Sequence, residues 1–279
     1  MIRSNSLMSR PLPSNELKKI QQNCRGTLLS LYKKANAGHI GASLSCLEIL
    51  IYLFFRHKQA SDYVILSKGH AAAALYVVLA AAGEISKEEL QTFYVDGTRL
   101  AAHPPCSGAF PSIPFGTGSL GHGLSLAVGL VFSQRYTGKE FQVYCILSDG
   151  DCNEGSTWEA ALFAGHHCLS NLTVIIDANG LQGFGRSEDV LNMEPWEKKW
   201  ESFGFKVHSV ANGNSFESLE EEFTWDLKDQ GGSGPRCFIA KTTKGHGVSY
   251  MENKMEWHYL PMSDEQYQIA LRDLGLDHA

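Results

Sequence analysis

"ILSDGDCNEG", residues 146–155, decides how this chain is read. It closes an apolar run, "FQVYCILSD" (141–149), with the composition of a buried strand. The run stops at Asp149, and three acids, Asp149, Asp151 and Glu154, then crowd around Gly150. Carboxylates this close repel one another, so they suit holding a ligand better than holding a fold. A second apolar run, "NLTVIID" (171–177), also ends in oxygen donors, Asp177 and then Asn179. Between the two lies a helical stretch, "STWEAALFAGHHCL" (156–169), with Ser156 and Glu159 at capping-box spacing. Its small residues Ala160, Ala161, Ala164 and Gly165 allow close packing on a sheet.

The same alternation extends in both directions. "YVILS" (63–67), "FKVHSV" (205–210) and "RCFIAKT" (236–242) read as strands. Leu17, Ile20, Cys24, Leu28 and Leu31 recur at helical spacing. "SCLEILIYLFF" (45–55) reads as a buried helix opened by Ser45 and Glu48, and an Ala-rich helix runs from about His70 to Ala82. Helices are also expected over "SKEELQTFY" (86–94), "HGLSLAVGLVFSQRY" (122–136) and "SFESLEEEFTWDL" (215–227). Trp196, Trp200 and Phe203 share a helical face behind Pro195, and Ser263 with Gln266 opens a terminal helix. Strands separated by helices predict an α/β fold: a doubly wound, mostly parallel sheet with helices on both faces. Residues 1–14 read as an arm and 15–279 as one domain. Ligands of such sheets bind beyond the carboxyl ends of the strands, which puts Asp149 and Asn179 at one edge.

Composition excludes several classes. Net charge is −6, with no Lys/Arg cluster longer than a pair, which argues against a nucleic-acid partner. The longest apolar run, 47–55, is too short to span a bilayer, and "MIRSNSLMSRPLPSN" lacks the apolar core of a secretory signal. Seven cysteines without CxxC spacing predict reduced thiols in a cytoplasmic protein. "GTGSLG" (116–121) matches a dinucleotide fingerprint, but the preceding "CSGAFPSIPF" holds two prolines where a strand would be needed.

One carboxylate, one amide oxygen and turn carbonyls form a hard-oxygen set suited to Mg²⁺ or Ca²⁺, completed by water and a ligand phosphate. Gly150 fits where backbone approaches a phosphate closely, and the amides opening the next helix favour an anion.

These residues resemble the N-terminal, diphosphate-binding part of transketolases. Ser148-Asp149-Gly150, Glu154, Trp158-Glu159-Ala160 and the segment from Asp177 through Asn179 and Leu181 to Gln182 follow that family's order. So do "AGHIGASLS" (37–45), "LSKGHAAAALY" (66–76), His103-Pro104, "GTGSLGHGLS" (116–125) and "KGHGVSYMENKMEWH" (244–258), over residues 15–260. The resemblance implies thiamine diphosphate held through Mg²⁺, with Ca²⁺ or Mn²⁺ as substitutes. Asp149, Asn179 and the Leu181 carbonyl would be the metal ligands. Gly150 would meet the diphosphate, and Gly118 and Leu120 would line the cofactor's rings. His39, His70, His103 and His258 would surround the diphosphate and the reacting sugar. Glu154 would join an acidic network between paired cofactor sites, which leaves Asp151 as a solvated turn residue. Ser148, His122, Ala102, Tyr259 and "ANGNS" (211–215) depart from the family pattern.

In the family a Glu from a second domain bonds the cofactor's pyrimidine ring. The chain ends before such a domain, so it resembles the N-terminal subunit of a split transketolase. A partner chain carrying the pyrimidine-binding domain is expected, most simply in an α2β2 assembly. The implied reaction moves a two-carbon glycolaldehyde unit from a sugar or sugar-phosphate ketose to an aldehyde. Two other activities stay open: a specialised two-carbon transfer in secondary metabolism, and the α subunit of a 2-oxo acid dehydrogenase. A non-catalytic relative is the reading from a different class.

Overall fold

The computed structural model describes residues 11–106, 108–228 and 233–276; most of the expected arm, residues 1–10, lies outside that range. Helices α1 (Ser14–Ala35) and α2 (Ile40–Tyr52) lead into β1 (Tyr63–Leu66), α3 (Ala72–Ala81) and α4 (Lys87–Leu90). After a long loop come α5 (His122–Thr137), β2 (Val143–Ser148), α6 (Gly155–His166) and β3 (Leu172–Ala178). A ribbon of β4 (Leu181–Gln182) and β5 (Gly185–Arg186) precedes α7 (Ser187–Leu191), α8 (Trp196–Ser202), β6 (Lys206–Val210) and α9 (Phe216–Lys228). The described chain closes with β7 (Arg236–Lys241) and α10 (Asp264–Asp273).

Five parallel strands form one sheet in the order β1-β2-β3-β7-β6. Alternate residues of each strand enter two separate cores, as a sheet buried on both faces requires. Tyr144, Ile146, Ile175 and Phe238 pack with α1, α2, α3 and α9. Cys145, Leu147, Val174, Ile176 and Ile239 pack with α5, α6 and α8. Every residue of α2 is buried, and the apolar segment Ile40–His57 is 89% buried within the fold. All seven cysteines are free thiols.

Three helix starts differ from their sequence signals, and the reasons are tertiary. α2 begins at Ile40, behind His39 in a left-handed conformation (φ 73°), so Ser45 and Glu48 are interior to it. The Ser45 hydroxyl turns instead to Asp177, and Glu48 takes Arg25, Gln21 and Asn214. In α6 the Ser156 hydroxyl donates to the Gly121 carbonyl and leaves Glu159 exposed. Pro195 stands at the N-cap of α8, one residue before its first turn. The caps at Ser86 and Ser263 form as expected, because both are exposed and have no competing partner in the core.

Candidate active site

The carboxyl ends of β1, β2, β3 and β7 meet at one edge. Ser148, the last residue of β2, lies in register with Asp177 of β3, and Asp177 with Ala240 of β7. Asp149 and Asn179 therefore follow adjacent strands at the same level, and both line a cavity of ≈ 320 Å³ with Gly180, Ser187 and Thr242. A larger cavity, ≈ 560 Å³, lies at the other end of the strands among Arg56, Gln142, Asn171 and Arg236.

Asp149 is 2% exposed, and its Oδ2 has no hydrogen-bond partner among the described residues. Burial, then the Asp177 carboxylate, push its carboxyl up to about 7, against the pull of Lys68 and of the nearby Ser187 hydroxyl and Gly180 amide. A charged oxygen buried without a partner is costly unless a ligand meets it. Asn179 is also buried; its Oδ1 accepts from the Leu181 amide (3.1 Å) and its Nδ2 donates to Ser45 (3.4 Å). The Leu181 carbonyl accepts from Lys244 (3.4 Å). Among the described residues no three His, Cys, Asp or Glu side chains group as a metal site. One carboxylate, one amide and one main-chain carbonyl still fit a hard ion that ligand oxygens and water complete.

Behind these groups stands a buried charge network that sequence reasoning missed. Lys68, wholly buried, pairs with Asp177 and donates to the Ala42 carbonyl (3.1 Å). Asp177 also accepts from Ser45 (2.6 Å) and Thr242. Lys244, 1% exposed, lies 3.0 Å from His258 Nδ1. Burial and Lys68 pull Lys244 down to about 8. The available signal was position: the lysines lie two and three residues past strand ends, in "LSKGH" and "TTKGH".

The four histidines come together. The His39 ring is 5.5 Å from His70, 5.0 Å from His258 and 6.4 Å from His103; His70 and His258 are 5.3 Å apart. Burial lowers all four, well below the usual range for His70, and with Lys244, His39 and Lys68 it takes His258 to about 3. The cluster holds neutral imidazoles, able to accept and donate protons.

The glycine loop leans over this cluster. Gly118, at φ 149°, lies where a side chain would meet the His103 ring at 3.0 Å, and a Cβ on Gly69 would meet the Gly118 amide at 2.8 Å. Leu120 faces Gly150, since a Cβ there would come 3.1 Å from Leu120 Cδ1. Glu154 is exposed beside Gly121. Tyr259 is 54% exposed, its ring 4.8 Å from His258 and its hydroxyl on the Gly183 carbonyl (2.8 Å).

Asp151 is not a solvated turn residue. It is 0% exposed, and its carboxylate accepts from Ser67, Gly121 and both the amide and hydroxyl of Ser148. The three-residue turn Asp151–Asn153 folds it back beneath the strand end.

Residues 18–279 match the family described as transketolase, thiamine diphosphate binding domain. One subunit of the apulose-4-phosphate transketolase of Phocaeicola vulgatus is 38% identical, the match covering 90% of this chain and 91% of that one. A 6-deoxy-6-sulfo-D-fructose transketolase subunit from Clostridium sp. (strain MSTE9) is 34% identical, covering 88% and 91%. The transketolase structure from Campylobacter jejuni superposes with a TM-score of 0.85 at 28% identity, covering 95% of this chain. The chain spans 44% of that solved structure's length. Sheet, loop cluster and family match together define a thiamine diphosphate-binding α/β domain. The chain belongs to the transketolase family, a family of thiamine-diphosphate-dependent transferases, and corresponds to its N-terminal domain.

Proposed function

We propose that the chain is the N-terminal subunit of a two-component transketolase. The carrying observation is the buried, unpartnered Asp149 Oδ2 at the strand edge beside Asn179. Asp149, Asn179 and the Leu181 carbonyl would hold Mg²⁺, and Gly150 would leave room for the diphosphate it carries. Gly118 and Leu120 would line the cofactor's rings. Bound there, thiamine diphosphate would supply the carbon nucleophile that carries a two-carbon ketol unit from a ketose to an aldehyde. His39, His70, His103 and His258, kept neutral by burial, would hold substrate hydroxyls and move protons. General acid–base help of this kind contributes roughly 10²–10⁴-fold.

A partner chain would complete the site with the pyrimidine-binding domain, most simply as α2β2. The names of the two relatives as subunits support this reading. So do Tyr136, Leu162 and Phe163, large apolar side chains left exposed on α5 and α6. Glu154, exposed at the start of α6, would face that interface. The relatives' names point to phosphorylated or sulfonated sugars as substrates. Tyr259 stands against His258 where the family pattern has glycine, which leaves open a second reading, transfer to a specialised acceptor in secondary metabolism. Seven free thiols support a cytoplasmic setting.

The chain, alone and with its partner, is titrated with thiamine diphosphate and Mg²⁺ and assayed for ketose–aldehyde exchange. Ligand at ~100 times Kd should stabilise the assembly by about 2.7 kcal/mol, with exchange activity only when both chains are present. Full activity of the chain alone, or a flat melting response of the assembly, would refute the reading. Decarboxylation of pyruvate in place of exchange would support a 2-oxo acid dehydrogenase component.

A further inference from the structure

Asp151 belongs to none of the groups that would touch cofactor or substrate, yet its carboxylate is wholly buried. Its Oδ1 accepts from the Ser67 hydroxyl (2.6 Å) and the Gly121 amide (2.8 Å). Its Oδ2 accepts from the Ser148 amide and hydroxyl, both at 2.9 Å. A carboxylate offers about four acceptor sites, and here all are used. The Asp151 amide donates back to the Ser148 oxygen (3.2 Å), and its carbonyl takes the Thr157 hydroxyl (2.5 Å). One residue thus ties together the end of β1, the end of β2, the last glycine of "GTGSLG" and the first turn of α6.

These are the pieces that must agree for the cofactor site to exist. The glycine loop carries Gly118 and Leu120, and the β2 turn carries Asp149 and Gly150. Gly121 cannot hold itself in place, because its φ of 79° is open to glycine and costs most residues strain. The hydroxyl of Ser148, where the family pattern has glycine, contributes two of the contacts to this residue. We infer that Asp151 is the positioning residue of the site: it sets the glycine loop and the metal turn in one register without touching the ligand. The inference rests on the cofactor reading above.

The test compares the full-length wild type with Asp151→Asn, which keeps shape but turns an NH₂ towards two donors, and with Ser67→Ala, which removes one donor and keeps the charge. Amide exchange is followed by mass spectrometry over residues 116–123 and over β2 and β3. Thiamine diphosphate with Mg²⁺ is titrated in parallel, with the partner chain present. In Asp151→Asn, exchange over 116–123 should accelerate at least about tenfold while strand amides keep their protection, and cofactor affinity should fall at least about tenfold. Ser67→Ala should shift both in the same direction, about threefold or more. Wild-type loop protection and affinity in both variants would overturn the inference. Acceleration spread evenly through the strands would also overturn it, since a residue serving stability alone would loosen the whole sheet. If Asp151→Asn does not fold, Ser67→Ala decides. A wild type blind to cofactor would sink the cofactor reading alone, and the exchange comparison would still judge the link between loop and turn.

Discussion

Removing the ammonium of Lys68 should destabilise the chain more than removing any exposed charge. Lys68 and Asp177 are both 0% exposed and face each other directly. Burial disfavours the Lys68 ammonium, but the facing Asp177 carboxylate outweighs it and holds the proton more firmly than in water. Lys68→Met leaves the Asp177 carboxylate buried with only the hydroxyls of Ser45 and Thr242. Breaking a buried pair from one side costs about 3–5 kcal/mol, because the surviving charge is uncompensated. For a chain of this length 1 kcal/mol moves the melting point by about 2 °C, so a drop of about 6–10 °C is expected. Lys68→Met with Asp177→Asn removes both charges and should recover at least about 2 kcal/mol relative to the sum of the single changes. Thermal and urea unfolding of the full double-mutant cycle at pH 7 checks this. A Lys68→Met chain melting within about 2 °C of wild type, with additive effects in the cycle, would refute the claim that the buried Asp177 charge depends on Lys68.

Asp149→Asn should stabilise the ligand-free chain by about 1–3 kcal/mol at pH 7 and above while abolishing Mg²⁺-dependent stabilisation by thiamine diphosphate; paired melts with and without both ligands show each effect. The sign follows from its carboxyl, raised from 3.8 to about 7, which makes ionisation cost stability as pH rises through that window. The histidine cluster acts in the opposite direction. His39, His70, His103 and His258 are depressed from 6.5, so the unfolded chain binds more protons below that pH, and stability should fall as pH drops through about 6.5. A pH series of urea midpoints tests it, and His258→Phe should flatten the acid limb. Gly121→Ala should cost about 1–3 kcal/mol by unfolding midpoint, since the added Cβ would collide with Glu154 Cβ at a φ of 79°.

The sheet was legible because a strand buried on both faces is apolar along most of its length, and "VYCILS" and "LTVIIDA" are, up to the polar residues at their ends and Thr173. The position of Asp149 and Asn179 at one edge was legible for the same reason: where an apolar run stops, a strand stops. The role of Asp151 was not. Three acids in one turn look alike in sequence, and only the backward fold of the short turn separates a buried carboxylate with four donors from an exposed Glu154. Ser45 and Glu48 misled for a related cause. Their spacing is that of a cap, but their partners, Asp177 and Arg25, are distant in sequence.

Sequence by itself determined the parallel α/β sheet, the two oxygen-bearing strand ends and the family they belong to, because periodicity and short motifs are local properties of the chain. Tertiary structure alone decided which charges are buried, which are paired and which is left without a partner. Lys68 and Lys244 became part of the site, and Asp151 became its tie, because desolvation and hydrogen bonding depend on what distant segments bring to the same point.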